Sequence, residues 1–217
     1  MEIFFDLDGT LTDSGVGITR CLQYALVNLG QPVPTADALR RFVGPPLRTT
    51  LVEILRTQDE VTLGEGIRLY RERFTTVGMF ENDLYADVPL GLETLRHDGH
   101  RLWVVTSKPY VYACQIIQHF ELAQWFERVY GSELSGVNTD KGDLIREVLS
   151  RENISPQQAW MVGDRIHDIQ GARKNSVGAI AWGYGTEQEL QEARPDHLVA
   201  SMAELCAYLH GHPRRRS

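Results

Sequence analysis

Four short apolar runs in this chain, residues 3–5, 102–105, 159–162 and 179–182, each break off into small, polar or glycine residues. Short apolar runs bounded by turn formers suit strands buried on both faces, the normal setting of a parallel sheet. Segments with helical periodicity lie between them, as at 111–120, 144–149 and 202–209. Strands alternating with helices imply βαβ units, and right-handed crossovers place the helices on both faces. The predicted core is therefore α/β: a Rossmann-like parallel sheet with helices on both faces. A chain of 217 residues, 42% of them hydrophobic, can bury such a core without disulfide staples.

One interval breaks the alternation. Residues 6–101 separate the first run from the second, far more than the roughly dozen residues a crossover needs. Ile18, Cys21, Leu22, Ala25, Leu26 and Leu29 form one apolar helical face, with Gly30 at the C′ position. Segments 38–43, 47–55 and 67–74 are further helical candidates, punctuated by Pro32, Pro34, Pro45 and Pro46. The expected organisation is a small all-helical insertion over 14–83, with 1–13 and 84–217 forming a catalytic α/β core. The insertion leaves from the carboxyl edge of the sheet, where open α/β sheets bind ligands, so it is expected to act as a lid. Gly15 and Gly17 are expected in its first linker, and 83–89 holds the second.

The polar residues that end the runs carry the chemistry. Asp6 and Asp8 are spaced i, i+2, which places both on one side of a strand end. Two close carboxylates resist joint ionisation unless a cation or proton intervenes. The same Asp6-Leu7-Asp8-Gly9-Thr10 segment is also composed of turn residues. Thr106-Ser107-Lys108-Pro109 offers hydroxyls and N–H groups to a phosphate, or an N-cap to the following helix. Lys141 lies three residues before an apolar helix, where a solvated lysine is the ordinary expectation. Asp164 and Asp168 are spaced i, i+4 at a helix start, fit for one shared site or for capping; His167 between them has no second histidine at metal-ligand spacing. An acid pair, a hydroxyl, a lysine and a second acid pair, all expected at one edge of one sheet, are far more specific together than singly.

Composition narrows the partners. The formal charge of −7 argues against a nucleic acid polymer. An anionic substrate would then need a cation or local donors. No run approaches the length of a membrane helix. Glu2 and Asp6 follow Met1 too closely for a secretory n-region. Cys21, Cys114 and Cys206 fit neither a zinc spacing nor a disulfide framework, so reduced thiols and a cytoplasmic setting are expected. Arg214-Arg215-Arg216 in the tail 210–217 are expected to be a solvated end.

The motifs Phe5-Asp6-Leu7-Asp8-Gly9-Thr10, Val105-Thr106-Ser107-Lys108-Pro109, Lys141 and Val162-Gly163-Asp164-Arg165-Ile166-His167-Asp168-Ile169 resemble the four signatures of the haloacid dehalogenase-like hydrolase superfamily. The resemblance covers almost the whole chain. The insertion resembles the small helical cap of the phosphoglycolate phosphatase-like branch. Within that branch, Phe42-Val43-Gly44-Pro45-Pro46-Leu47, Thr106-Ser107-Lys108-Pro109 and Trp182-Gly183-Tyr184-Gly185 are most similar to bacterial 5′-nucleotidase-like phosphatases. One departure stands out: Gly142 follows Lys141 where related phosphatases often have proline, which makes Lys108 a competitor for the phosphate-binding lysine.

The resemblance implies hydrolysis of a small phosphorylated metabolite. Asp6 would be the nucleophile and form an aspartyl-phosphate; Asp8 would act as acid, then base. Magnesium would be held by the Asp6 carboxylate, the Asp8 backbone carbonyl and Asp164, with Asp168 acting through water or orienting Lys141. Thr106 and Lys141 would take non-bridging oxygens, assisted by Gly9, Ser107 and Lys108. Arg48, after the Gly44-Pro45-Pro46-Leu47 loop, would face the leaving group, and Trp182, Tyr184, Tyr70 or Phe74 are candidates to stack on a base. For Tyr70 and Phe74, helix-period core packing is the plainer account. The second acid, Asp8, argues against a dehalogenase, and the absence of lysine from 14–83 argues against a phosphonatase. Nucleoside 5′-monophosphates are the expected substrates; alternatives are phosphoglycolate or another metabolite, phosphomutase action, and a non-catalytic phospho-receiver module.

Overall fold

A computed structural model describes residues 1–183 and 185–211. Tyr184 and the arginines of the tail lie outside the described residues. The chain divides into two compact units, Met1–Leu11 with Leu84 onward in one and Thr12–Asp83 in the other. In chain order the strands are β1 (Glu2–Phe5), β2 (Thr12–Asp13), β3 (Asp83–Leu84), β4 (Arg101–Pro109), β5 (Arg128–Ser132), β6 (Ala159–Gly163), β7 (Gly178–Ala181) and β8 (His197–Leu198). The helices are α1 (Gly15–Asn28), α2 (Ala36–Leu39), α3 (Leu47–Leu55), α4 (Glu60–Thr76), α5 (Val88–His97), α6 (Tyr110–His119), α7 (Lys141–Arg151), α8 (Ile166–Lys174), α9 (Glu187–Ala193) and α10 (Met202–Gly211).

The first unit is built on one six-stranded sheet, ordered β5-β4-β1-β6-β7-β8 with every neighbouring pair parallel. β1 lies between β4 and β6, which is why Ile3, Phe4 and Phe5 are consecutive apolar residues and all fully buried. Phe4, Trp103, Val105 and Met161 meet Leu144, Ile145 and Val148 of α7 and Ile169 and Ala172 of α8. Ile3, Phe5, Leu102, Val104 and Val162 alternate onto the opposite face and are equally buried. Two strands of this sheet were not expected from the sequence. β5 and β8 are its edges, so they read as mixed polar segments (Arg128, Gly131 and Ser132 in β5) rather than apolar runs. α5 was likewise expected as linker up to Pro89. That proline sits in the first helical turn, where its missing N–H costs nothing.

The second unit is helical, with α1 packed along α4. α1 buries Ile18, Cys21, Leu22, Ala25 and Leu26. It closes as expected at Gly30, whose N–H donates to Val27 O at 3.0 Å, followed by Gln31 N–H to Leu26 O at 2.9 Å. α3 has the expected bounds, α4 is longer than 67–74, and the 38–43 segment splits into α2 and a 3₁₀ turn at Arg40–Phe42. Tyr70 and Phe74 stack with ring centroids 5.5 Å apart and are buried, so they serve this unit's core. Gly15 and Gly17 are not linker residues but the first turn of α1. A Cβ on Gly17 would lie 2.0 Å from Gly78 O, so Gly17 permits a close packing contact. None of the described helices is long and apolar enough to cross a membrane. None of the three cysteines forms a disulfide among the described residues; Cys21 is buried and the other two are half-buried.

Candidate active site

Parallel register decides what meets at the carboxyl edge of the sheet. Phe5 is level with Val104 of β4 and Val162 of β6. One residue further on lie Asp6, Val105 and Gly163; the next level holds Thr106 and Asp164. The Asp6 N–H donates to Val162 O at 2.9 Å, which extends the ladder by one residue and holds Asp6 at the strand end. The chain then turns, with Leu11 N–H donating to Leu7 O at 3.0 Å and Gly9 inside the turn. Asp8 emerges from that turn.

Asp164 follows β6 directly and is fully buried. Its Oδ1 accepts from the Thr10 hydroxyl at 3.0 Å. Asp168 lies in the first turn of α8, where its Oδ2 accepts from the Arg165 N–H at 3.1 Å. The two acids therefore do not converge as i, i+4 neighbours on one helix. A strand end supplies one and the first helical turn the other. Gly163 makes this possible, because a Cβ there would lie 2.3 Å from Asp168 Cγ.

Asp6, Asp164 and Asp168 each offer a carboxylate oxygen, and these atoms lie within 4.8 Å of one another. Lys141 joins them from another element. It is the first residue of α7, not a residue ahead of the helix, and Asp140 caps that helix by accepting from Asp143 N–H at 2.9 Å. The Lys141 Nζ donates to Val105 O at 2.9 Å and stands 2.9 Å from Asp6 Oδ1 and 2.8 Å from Asp168 Oδ1. Burial alone would depress this ammonium, but Asp168 and Asp6 outweigh burial and hold it above its ordinary range. Asp164 is shifted the other way for a carboxyl: burial, then Asp168 and Asp6, push it well up.

Such a cluster is weak evidence for stability, since well-packed apolar residues often replace buried ion pairs at no cost. It points to a ligand. Asp6, Asp8, Asp164 and Asp168 are all buried, and the ammonium groups of Lys141 and Lys108 contact only Asp6, Asp168 and Asp8. Asp164 Oδ2 is buried without a hydrogen-bond partner among the described residues. An orphaned carboxylate oxygen beside two more carboxylates fits a hard divalent cation such as magnesium, which takes oxygen ligands and few of them from protein.

The remaining candidates are placed differently. The Asp8 carboxylate is outside the three-carboxylate group; its Oδ2 stands 2.7 Å from Lys108 Nζ. Thr106 is buried, and its hydroxyl oxygen accepts from the Lys108 N–H at 3.2 Å. Ser107 donates its hydroxyl to Thr139 O at 3.1 Å, tying β4 to the loop after β5. The segment through Pro109 is still strand, so these residues do not cap α6 through a side chain. Arg48 belongs to the second unit, where it pairs with Glu60 at 2.5 Å. His167 is exposed on α8. Trp182 is buried against Tyr85, ring centroids 5.7 Å apart, rather than open for stacking. Thr10 and Gly163 also belong to this site, although in the sequence Thr10 has only the signature of a turn former and Gly163 that of a strand end.

A family model described as haloacid dehalogenase-like hydrolase matches residues 3–182. The chain is 43% identical over 213 residues to a 5′-nucleotidase of Pseudomonas aeruginosa, covering 97% of this chain and 96% of that protein. It is 30% identical to a phosphoglycolate phosphatase of Psychrobacter arcticus, covering 95% and 94%. Similarity to tyrosine-protein kinase PtkA of Mycobacterium tuberculosis, 37% over 185 residues, covers 84% of this chain and 62% of that longer protein. Among solved structures, a predicted phosphatase from Clostridium acetobutylicum superposes with a TM-score of 0.93 at 40% identity, covering 97% of this chain and 98% of that one.

Proposed function

The chain belongs to the haloacid dehalogenase-like hydrolases and is a phosphatase. From that premise we propose that it hydrolyses nucleoside 5′-monophosphates or similar small phosphate monoesters, through an aspartyl-phosphate on Asp6. The observation that carries this reading is the convergence of Asp6, Asp164, Asp168 and Lys141 at one sheet edge, with Asp164 Oδ2 buried and unpartnered.

Asp6, Asp164 and the Asp8 backbone carbonyl would hold magnesium, with Asp168 reaching it through water. Bound there, magnesium would offset the carboxylate charge and neutralise charge on the transferring group. An Asp6 oxygen attacks phosphorus as the ester oxygen leaves, and Asp8 gives that oxygen a proton. Water then attacks the aspartyl-phosphate and yields its proton to Asp8. Thr106 and Lys141 would take non-bridging oxygens, supported by the turn at Gly9 and by Ser107. Lys141 also fixes Asp6 and Asp168 relative to each other. The helical unit, with Arg48, is assigned recognition of the leaving group, because the core motifs meet only the phosphate.

The test is phosphate release from nucleoside 5′-monophosphates, phosphoglycolate, sugar phosphates and an aryl phosphate, with magnesium or chelator, beside Asp6→Asn. Release is expected to require both magnesium and Asp6, with nucleotides ranked first. The 30% identity to a phosphoglycolate phosphatase favours a second reading, in which phosphoglycolate ranks first. No release by folded protein from any substrate would overturn both.

A further inference from the structure

Two lysines stand at this site, and each is engaged with a different acid of the first motif. Lys141 contacts Asp6, Asp168 and Val105 O. Lys108 contacts Asp8: Nζ to Oδ2 is 2.7 Å, with the two side chains 6% and 8% exposed. The other Asp8 oxygen, Oδ1, is buried and has no hydrogen-bond donor among the described residues. One carboxylate oxygen is thus held while the other is left bare.

The backbone accounts for where Lys108 sits. β4 runs on to Pro109, and its pairing with β5 shifts register between Thr106 and Pro109. Irregularities of this kind re-aim side chains at strand ends. Here the Lys108 N–H folds back onto the Thr106 hydroxyl at 3.2 Å. Ser107 is anchored on either side, donating to Thr139 O and accepting at its carbonyl from the Ser132 hydroxyl at 2.8 Å. The position of Lys108 is built into this strand extension.

We propose that Lys108 is a positioning residue that holds Asp8 for the hydrolytic half of the reaction. This rests on the phosphatase reading above. A carboxylate oxygen without a donor is poised to accept a proton, and the half-reaction in which Asp8 accepts one is hydrolysis of the aspartyl-phosphate. There the water oxygen bonds to phosphorus as the bond from phosphorus to the Asp6 oxygen breaks. The water proton passes to Asp8 Oδ1, and inorganic phosphate and the Asp6 carboxylate result. Lys108 touches neither the water nor phosphorus; it fixes the acceptor.

Lys108→Met tests this with an aryl phosphate, whose good leaving group makes the first half-reaction undemanding. The expected result is a kcat about 10- to 100-fold lower, while kcat/KM, which reports only through phosphoryl transfer to Asp6, falls less than about threefold. A burst of phenol near one per enzyme and acid-trappable phosphoenzyme should accompany it. Lys108→Arg should recover part of kcat, and Lys108→Gln replaces the methionine variant if that does not fold. Equal losses in kcat and kcat/KM, no burst, and weaker inhibition by inorganic phosphate would make Lys108 a phosphate ligand and overturn the proposal, as would an unchanged kcat. Absence of activity in the wild-type chain would instead overturn the phosphatase reading itself.

Discussion

Lys141 illustrates how much one side chain can be asked to do. It is buried, and three acceptors surround an ammonium that carries three protons. Removing a buried charge strands its partners, which typically costs about 3–5 kcal/mol, so Lys141→Met is expected to destabilise the metal-free protein by roughly that amount. Chemical denaturation measures it; a midpoint equal to wild type would show that Asp6 and Asp168 do not depend on Lys141. The place of Lys141 near an apolar helix suggests only a solvated lysine, and the family resemblance marks it as a site residue; the structure instead buries it as the first residue of α7. Its partner Val105 O was not legible, because a backbone carbonyl has no signature in a residue string.

Between single residues and the whole molecule, the informative element is the junction of β6 and α8. Gly163 ends the strand, Asp164 follows it, and Asp168 folds back from the first helical turn over the space the glycine leaves open. Gly163→Ala should cost about 1–3 kcal/mol, the usual price of overpacking a tight site. It should also displace Asp168, so magnesium-dependent turnover should fall further than stability alone explains. Activity assayed well below the unfolding temperature separates the two effects; full turnover in a folded variant would mean that Asp168 tolerates displacement. The edge strands β5 and β8 were hidden from the sequence for a related reason. An edge has a neighbour on one side only, so its burial and its apolar patterning are both incomplete.

Taken as a molecule, the protein gathers four buried acids around two lysines at one sheet edge while carrying a formal net charge of −7. Added magnesium should therefore stabilise the folded state. At 100 times the dissociation constant the gain is about 2.7 kcal/mol. In a chain of this length that corresponds to a rise in unfolding temperature of several degrees, at roughly 2–4 °C per kcal/mol. Chelator should reverse the shift. Asp164→Asn should abolish it, while the metal-free variant should unfold no earlier than wild type, because burial and two neighbouring carboxylates already oppose charge at that position. Calorimetry with and without magnesium reads both. A magnesium shift surviving in Asp164→Asn would move the cation away from this carboxylate.

The order of apolar runs and helical periods was enough to specify a parallel α/β core carrying a helical insertion, because strand burial and helix amphipathicity are local patterns that survive in a one-dimensional string. The motif residues at the ends of those runs were legible for the same reason. Which of them meet was settled by register: Phe5 level with Val104 and Val162 brings Asp6, Thr106 and Asp164 to one edge, and no spacing along the chain encodes that. The pairing of Lys141 with Asp6 and of Lys108 with Asp8 likewise follows from tertiary placement. Side chains a hundred or more residues apart are brought within 3 Å by strands that pair across the whole chain, and only the folded sheet sets those distances.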